Sequence, residues 1–226
     1  MSYRKIDIVP GEYYHLYNRG ANKQIIFKDE ADYHRFLELL FLSNTAFSVS
    51  IRNTRREYGS VFEFDRGDEQ PVAVGAYCLM QNHFHILVKP LIENGVEIFM
   101  RKILTGYSMY FNKRYKRTGT LFEGRYKSEH ADSDEYLKYL FSYIHLNPLK
   151  ILNSGWRKNG LTKTEEGVEY LSKYKYSSYI DFVNRQNREE SSILTLDEFP
   201  EYFPNEQSFL KEIREWIDLQ DEFMSV

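Results

Sequence analysis

Cysteine is nearly missing from these 226 residues: Cys78 stands alone, which excludes an internal disulfide framework, and no Cys or His cluster has zinc-finger spacing. No apolar run approaches the roughly 18 residues of a membrane-spanning helix. Met1 to Tyr14, with Arg4, Lys5, Asp7 and Glu12, has no apolar core like that of a secretory leader. Neither secretion nor membrane insertion is expected, and a reducing cytoplasm is the expected setting. Repeats and low-complexity tracts are lacking too, as are a Walker lysine motif and a glycine fingerprint after a strand, so no nucleotide cofactor is implied. What is present is an ordinary balance, 42% hydrophobic and 28% charged residues, enough to bury one sizeable core with an appendage.

The formal net charge of -3 conceals a division. Residues 101–127 carry eight basic side chains against the single acid Glu123, whereas residues 186–226 carry eleven acids against three bases. The acidic end masks a basic middle. Tyr107, Tyr110, Tyr115 and Tyr126 lie among those bases, and aromatic rings beside a cationic groove suit unpaired nucleotides; a solvated helix face accounts for the same charges.

Periodicity predicts a strand over Gly11–Gly20, then a helix capped by Asp29 with Tyr33, Phe36, Leu37, Leu39 and Leu40 on its buried side. Residues 48–70 read as a hairpin-like or mobile insertion. Pro71–Met80 and His83–Val88 read as paired strands across the polar break Gln81-Asn82, followed by a helix over 94–114, a strand over Gly119–Ala131 and a helix over Ser133–Leu146. Asn147-Pro148 should end that helix, because the residue before proline is pushed out of the α region. Past residue 150 the expectations are a loop around Trp156–Gly167, a short helix near Tyr174–Asn184 and an acidic helix at about Asn205–Glu222. This order predicts an α+β fold, a ferredoxin-like sandwich with an antiparallel sheet backed by helices and a C-terminal helical extension. The expected division is a main domain at 1–150 and the extension at 151–226.

Two short constellations carry chemistry. His83 and His85 are at i and i+2 of a strand and therefore share a face, half of a metal site, while Phe84 turns to the core. Tyr143 and Asn147 are at i and i+4 of a helix and look toward one point. If that point is the histidine pair, Asn147 adds an oxygen ligand and Tyr143 faces the substrate; otherwise Tyr143 belongs to the core and Asn147 caps its helix. Joined, they make sense: a phenol of pKa near 10 needs a strongly polarised phosphate opposite it, and neutral ligands leave a divalent ion's charge undiminished. Tyr107 and Tyr110 are rival nucleophiles, each without an Asn or Gln four residues later, and His15, His34, His130 and His145 read as structural or incidental.

At these residues the chain resembles the single-tyrosine HUH transposases of the insertion-sequence-200-like family, and within it the REP-associated tyrosine transposases. Met80–Val88 (MQNHFHILV) is similar to their HUH motif and Tyr143–Pro148 (YIHLNP) to their catalytic-helix motif. Gly119–Ser128 (GTLFEGRYKS) resembles the intervening strand and Tyr14–Gly20 (YHLYNRG) the first strand, with an echo at Tyr176–Tyr179. The resemblance covers about residues 10–150. Gln81 stands where many relatives have proline, 48–70 looks inserted, and the tail past about 185 has no counterpart.

The resemblance implies a DNA strand transferase that forms a 5′-phosphotyrosine, with Tyr143 as nucleophile, His83, His85 and Asn147 as metal ligands, and Mg2+ or Mn2+ as the metal. It implies single-stranded or hairpin DNA as partner, no membrane, and a monomer or homodimer. Arg19, Lys113, Arg114, Arg117, Arg125 and Lys127 are the expected DNA-binding side chains. The alternatives are a domesticated, non-catalytic protein that holds hairpin DNA or RNA, and a metal-dependent hydrolase using water.

Overall fold

The structure, a computed structural model, describes residues 7–156, 161, 163–183 and 188–218. Its centre is a four-stranded antiparallel sheet of β1 (Tyr14–Arg19), β2 (Val72–Met80), β3 (His83–Pro90) and β4 (Lys127–His130), in the spatial order β2-β3-β1-β4. With α1 (Glu30–Leu42) after β1 and α3 (Gly95–Arg114) after β3, this is the ferredoxin-like order. α2 (Ile51–Tyr58) is an addition between α1 and β2. α4 (Asp134–Leu146) follows β4, and the chain continues through α5 (Leu149–Leu152), α6 (Thr164–Lys173), α7 (Tyr179–Val183) and α8 (Glu206–Asp218).

The period of two along each strand divides the sheet into two buried faces. Tyr14, Leu16, Phe84, Ile86, Val88, Val72, Val74, Tyr77 and Leu79 join one core with Phe36 and Leu40 of α1 and Phe99, Ile103 and Tyr107 of α3. The opposite face offers Ala73, Ala76, Cys78, Met80 and Leu87 to Leu137, Leu140, Phe141 and Ile144 of α4. A register shift between Val74 and Ala76 lets β2 serve both cores, and at that point a Cβ on Gly75 would meet the Phe199 ring at 2.8 Å. Small residues on β2 thus make room for α4 and for the returning chain.

Asp29 caps α1 as expected, its Oδ1 accepting from Asp32 N at 3.2 Å, and Ser133 caps α4, its Oγ accepting from Tyr136 N at 3.2 Å. Several expectations are corrected. Residues 48–70 form α2 and a short 3-10 turn at Val61–Glu63, not a hairpin; Val61 and Phe62 bury against α1. The strand expected over 119–131 is regular only at Lys127–His130, because β1 ends at Arg19 and the segment before β4 makes one bridge, Gly20 with Phe122. The loop expected at 156–167 gives way at its end to the helix Thr164–Lys173, and residues 157–160 and 162 of that loop lie outside the described residues. The helix expected near 174–184 is confined to α7, because Tyr176 and Ser178 pair instead with the free edge of β2 through Leu79 N to Tyr176 O at 2.9 Å and Ser178 N to Tyr77 O at 3.0 Å. Asn184 and residues 219–222 of the expected terminal helix lie outside the described residues. Asn147 keeps helical angles (φ −55, ψ −37) despite Pro148, and the chain passes directly into α5. Among the described residues, no helix is long and apolar enough to cross a membrane.

Candidate functional site: a histidine row under a tyrosine helix

The sheet face covered by α4 carries polar side chains where α4 leaves the apolar patch. β1 lies between β3 and β4, so the antiparallel register sets Tyr17 opposite both His85 and Lys127, His15 opposite Glu129, and Arg19 opposite His83. His83, His85, His15, Tyr17 and Glu129 therefore share one surface, while Phe84 is fully buried in the other core.

His83 and His85 meet edge to face, with ring centroids 5.1 Å apart. Asn82 Oδ1 accepts from His83 Nδ1 at 2.7 Å, which assigns the proton to Nδ1 and makes Nε2 the lone-pair nitrogen. Burial first, then the charges of Lys150 and Arg19, push His83 down to about 4, so the ring is neutral at pH 7. His85 is buried and its Nδ1 lies 2.8 Å from His15 Nε2. Imidazoles tethered through Nδ1 suit a divalent cation. Among the described residues no group of three or more His, Cys, Asp or Glu side chains is arranged to hold a metal ion.

Tyr143 projects from α4 onto this pair, its ring edge-on to His85 and to His15 with centroids 5.7 Å away in both cases. One turn on, Asn147 is fully buried; its Nδ2 donates to Tyr143 O at 2.8 Å and its Oδ1 accepts from Lys150 Nζ at 2.9 Å. The ammonium of Lys150 is also 5.8 Å from the centre of the Tyr143 ring. Within one chain Tyr143 thus meets His85 and His15, while Asn147 is the C-cap of the same helix and Lys150 is an additional cation close to both Tyr143 and Asn147. The rival tyrosines lie elsewhere. Tyr107 is buried in the opposite core and donates to Ile26 O, and Tyr110 is bonded to Asp32 and Arg114. His145 is also structural: it is fully buried, bonded to Ser178 Oγ at 2.7 Å and pushed down to about 3 by desolvation. His34 faces Glu38 and His130 faces Glu12.

The six basic candidates separate by partner. Arg19 grips Glu123 through two nitrogens, and Arg114 grips Asp29 and the buried Asp32. Arg117 lies over the Phe111 ring. Lys113 and Arg125 are exposed, Arg125 on a cleft of about 760 Å³ that also holds Arg101, Met109 and Tyr126. Lys127 is exposed above Tyr17, 5.8 Å from its ring centre, on the same face as the histidines.

Sequence reasoning missed His15, Tyr17, Glu129 and Lys150. A signal existed for two of them: in YHLYNR, His15, Tyr17 and Arg19 alternate with core residues as His83 and His85 do. What joins the two rows is strand pairing, which no local pattern specifies.

Comparison with known proteins agrees with this architecture. Residues 52–147 match the family described as "Transposase IS200 like", a span that includes β2, β3 and α4. Among solved structures, the REP-associated tyrosine transposase bound to a REP hairpin aligns with a TM-score of 0.50 and 14% identity, over 82% of this chain and 87% of that chain; at this identity the likeness establishes a shared fold. The tRNA(His) guanylyltransferase of Saccharomyces cerevisiae aligns at a TM-score of 0.34 and 13% identity over 89% of this chain and 86% of that one, too low to bear on fold or function. No curated protein matches the chain in sequence.

Proposed function

We propose that the chain, whose residues 52–147 match the IS200-like transposase family, cuts and rejoins single-stranded DNA beside a hairpin, with Tyr143 as the nucleophile. The observation that carries this reading is the Tyr143 ring set against His85 and His15 on the sheet face that also holds His83. The hairpin bound by the structural neighbour supports hairpin DNA as the partner here. Tyrosine and histidines belong to the same chain, which supports action in cis by a monomer.

His83, His85 and Asn147 would hold Mg2+ or Mn2+, and a divalent cation there supplies polarisation of the scissile phosphate. The chain's own groups do the rest. Tyr143 Oη attacks phosphorus and loses its proton, the bond from phosphorus to the 3′ oxygen breaks, and that oxygen leaves protonated as a 3′-hydroxyl; a 5′-phosphotyrosine results. Attack by a 3′-hydroxyl on that linkage reverses the step and rejoins the strand. Lys150, close to both Tyr143 and Asn147, adds positive charge where the phosphate gathers negative charge. Lys127, above Tyr17, and Arg125, on the cleft beside α3, suit the phosphates and bases of the unpaired flank.

The test is a trapping assay. Full-length protein incubated with Mn2+ and a hairpin oligonucleotide bearing single-stranded flanks should form an adduct that survives denaturation. Tyr143→Phe should abolish the adduct and leave DNA affinity within about twofold, because the hydroxyl acts mainly in the transition state. An adduct undiminished in that variant would falsify the assignment, and cleavage without any adduct would point to a water nucleophile.

A further inference from the structure

We propose that Glu129 and His15 are positioning residues that lock the tautomer and ring orientation of His85, so that its Nε2 is presented as a lone-pair donor. The inference rests on the reading of His85 as a metal ligand given above.

His85 and His15 share one proton. His85 Nδ1 and His15 Nε2 are 2.8 Å apart, so one of the two nitrogens carries the hydrogen and the other accepts it. Glu129 Oε2 stands 3.5 Å from the other nitrogen of His15, Nδ1. That separation is long for a hydrogen bond but close enough for a carboxylate to favour a proton on Nδ1. With that proton on Nδ1, a singly protonated His15 offers Nε2 as an acceptor. The hydrogen between the rings then belongs to His85 Nδ1, and His85 Nε2 carries the lone pair. The opposite arrangement would turn the lone pair of His15 Nδ1 toward a carboxylate, two electron-rich groups facing one another.

The surroundings hold this geometry. His15 stacks on His85 with centroids 5.0 Å apart and planes 19° apart, and Tyr17 stacks on the His15 ring at 5.1 Å. Tyr17 Oη donates to Glu129 Oε1 at 2.7 Å, which fixes the carboxylate, and contact with His15 keeps Glu129 below the usual carboxylate range. Three adjacent strands supply the three members: Glu129 is directly across from His15, and His85 is the diagonal neighbour of His15 on the other flank. His83 has its own, simpler tether in Asn82. Both histidines would then present the same nitrogen, one held by a turn amide and the other by a carboxylate relayed through a second imidazole.

The experiment uses the full chain and Mn2+ alone as the probe. Glu129→Gln preserves shape and removes charge; Tyr17→Phe removes the second bond to the carboxylate and keeps the ring. Long-range proton–nitrogen NMR spectra of the imidazoles report the tautomer of His85, and calorimetric titration reports Mn2+ affinity. In the unaltered protein His85 should carry its proton on Nδ1. Glu129→Gln should give a mixture of tautomers and weaken Mn2+ binding by about tenfold or more, with hairpin affinity in chelator unchanged. Tyr17→Phe should stay within about twofold on Mn2+. A Glu129→Gln protein with the His85 tautomer and Mn2+ affinity of the unaltered chain would overturn the proposal, and so would a variant that loses only thermal stability. If the unaltered chain binds no Mn2+ but Glu129→Gln still shifts the tautomer, the positioning role stands and the metal reading falls. Should Glu129→Gln fail to fold, His15→Phe, which retains the stack and removes both nitrogens, gives the same two readouts, with a single unchanged His85 tautomer as the overturning result.

Discussion

Lys150 occupies an unusual position for a lysine, with its ammonium on the amide oxygen of a fully buried asparagine and its charge felt by a neutral histidine. Two cations at one oxygen repel, so Lys150 must compete with any metal ion that Asn147 would ligate. Lys150→Met should therefore tighten Mn2+ binding by roughly threefold to tenfold, raise the His83 pKa from about 4 toward its ordinary value, and slow cleavage; calorimetry, NMR titration and single-turnover kinetics measure the three effects. His145 supports a prediction about stability. Burial pushes it down to about 3 from 6.5, so between those values the unfolded chain binds a proton that the folded chain refuses. Its contribution is complete above pH 6.5 and is lost as pH falls toward 3, and His83 adds to the loss between 6.5 and about 4. Urea unfolding in chelator should show stability falling on acidification with a slope of up to about 1.4 kcal/mol per pH unit for each histidine. His145→Gln, which can still bond Ser178, should flatten that limb; an unchanged slope would show that His145 does not contribute it.

At the scale of elements, α4 decides the site, because it brings Tyr143 onto a face that β1 and β3 have already prepared. Its extent was readable, and it packs Leu137, Leu140, Phe141 and Ile144 on β2 and β3 with Ser133 as its cap. β2 must be narrow for this packing, and Gly75 marks the tightest point, against Phe199 of the returning chain. Gly75→Ala should cost about 1–3 kcal/mol by overpacking, read as a lowered denaturation midpoint with unchanged slope. The loss should be smaller when Phe199→Leu is introduced alongside it. Residues 176–178 close the open edge of β2 and supply the hydroxyl that meets His145, so a segment remote in sequence braces the tyrosine helix from behind.

On the scale of the whole molecule, the charge division is sharper in three dimensions than in the sequence. Arg19 and Arg114 are engaged by carboxylates, whereas Arg125 and Lys127 are exposed beside the cleft and the histidine face. Substituting Arg125 and Lys127 together with Ala should weaken hairpin binding and lower the salt slope by about one to two, with the thermal midpoint retained. Arg114→Ala should do the reverse, because it leaves Asp32 buried without its guanidinium partner: the midpoint should drop and the salt slope change little. Wild-type affinity in the first variant would move the DNA path elsewhere. The acidic C-terminal part is no detachable tail, since Ile193, Phe199, Phe209, Ile213 and Ile217 are buried in the cores. Removing residues from 186 onward would therefore damage the fold before it tested electrostatics.

What the sequence determined by itself were the local geometries that depend on spacing alone. Period two put His83 and His85 on one face with Phe84 opposite, period 3.6 aligned Tyr143 with Asn147, and Asp29 announced its helix. Where the next partner is distant in the chain, local pattern falls silent. The helix at 51–58 is a short, strongly basic segment supported by its contacts with the 3-10 turn and α1, and the strand before residue 127 is cut short because β1 ends. Only the tertiary structure could set His15 between Glu129 and His85, assign Tyr107 to the wrong side of the sheet, and lay Lys150 against Asn147. Those facts follow from strand order, register and the docking of α4, which arise from burying two faces of one sheet at once.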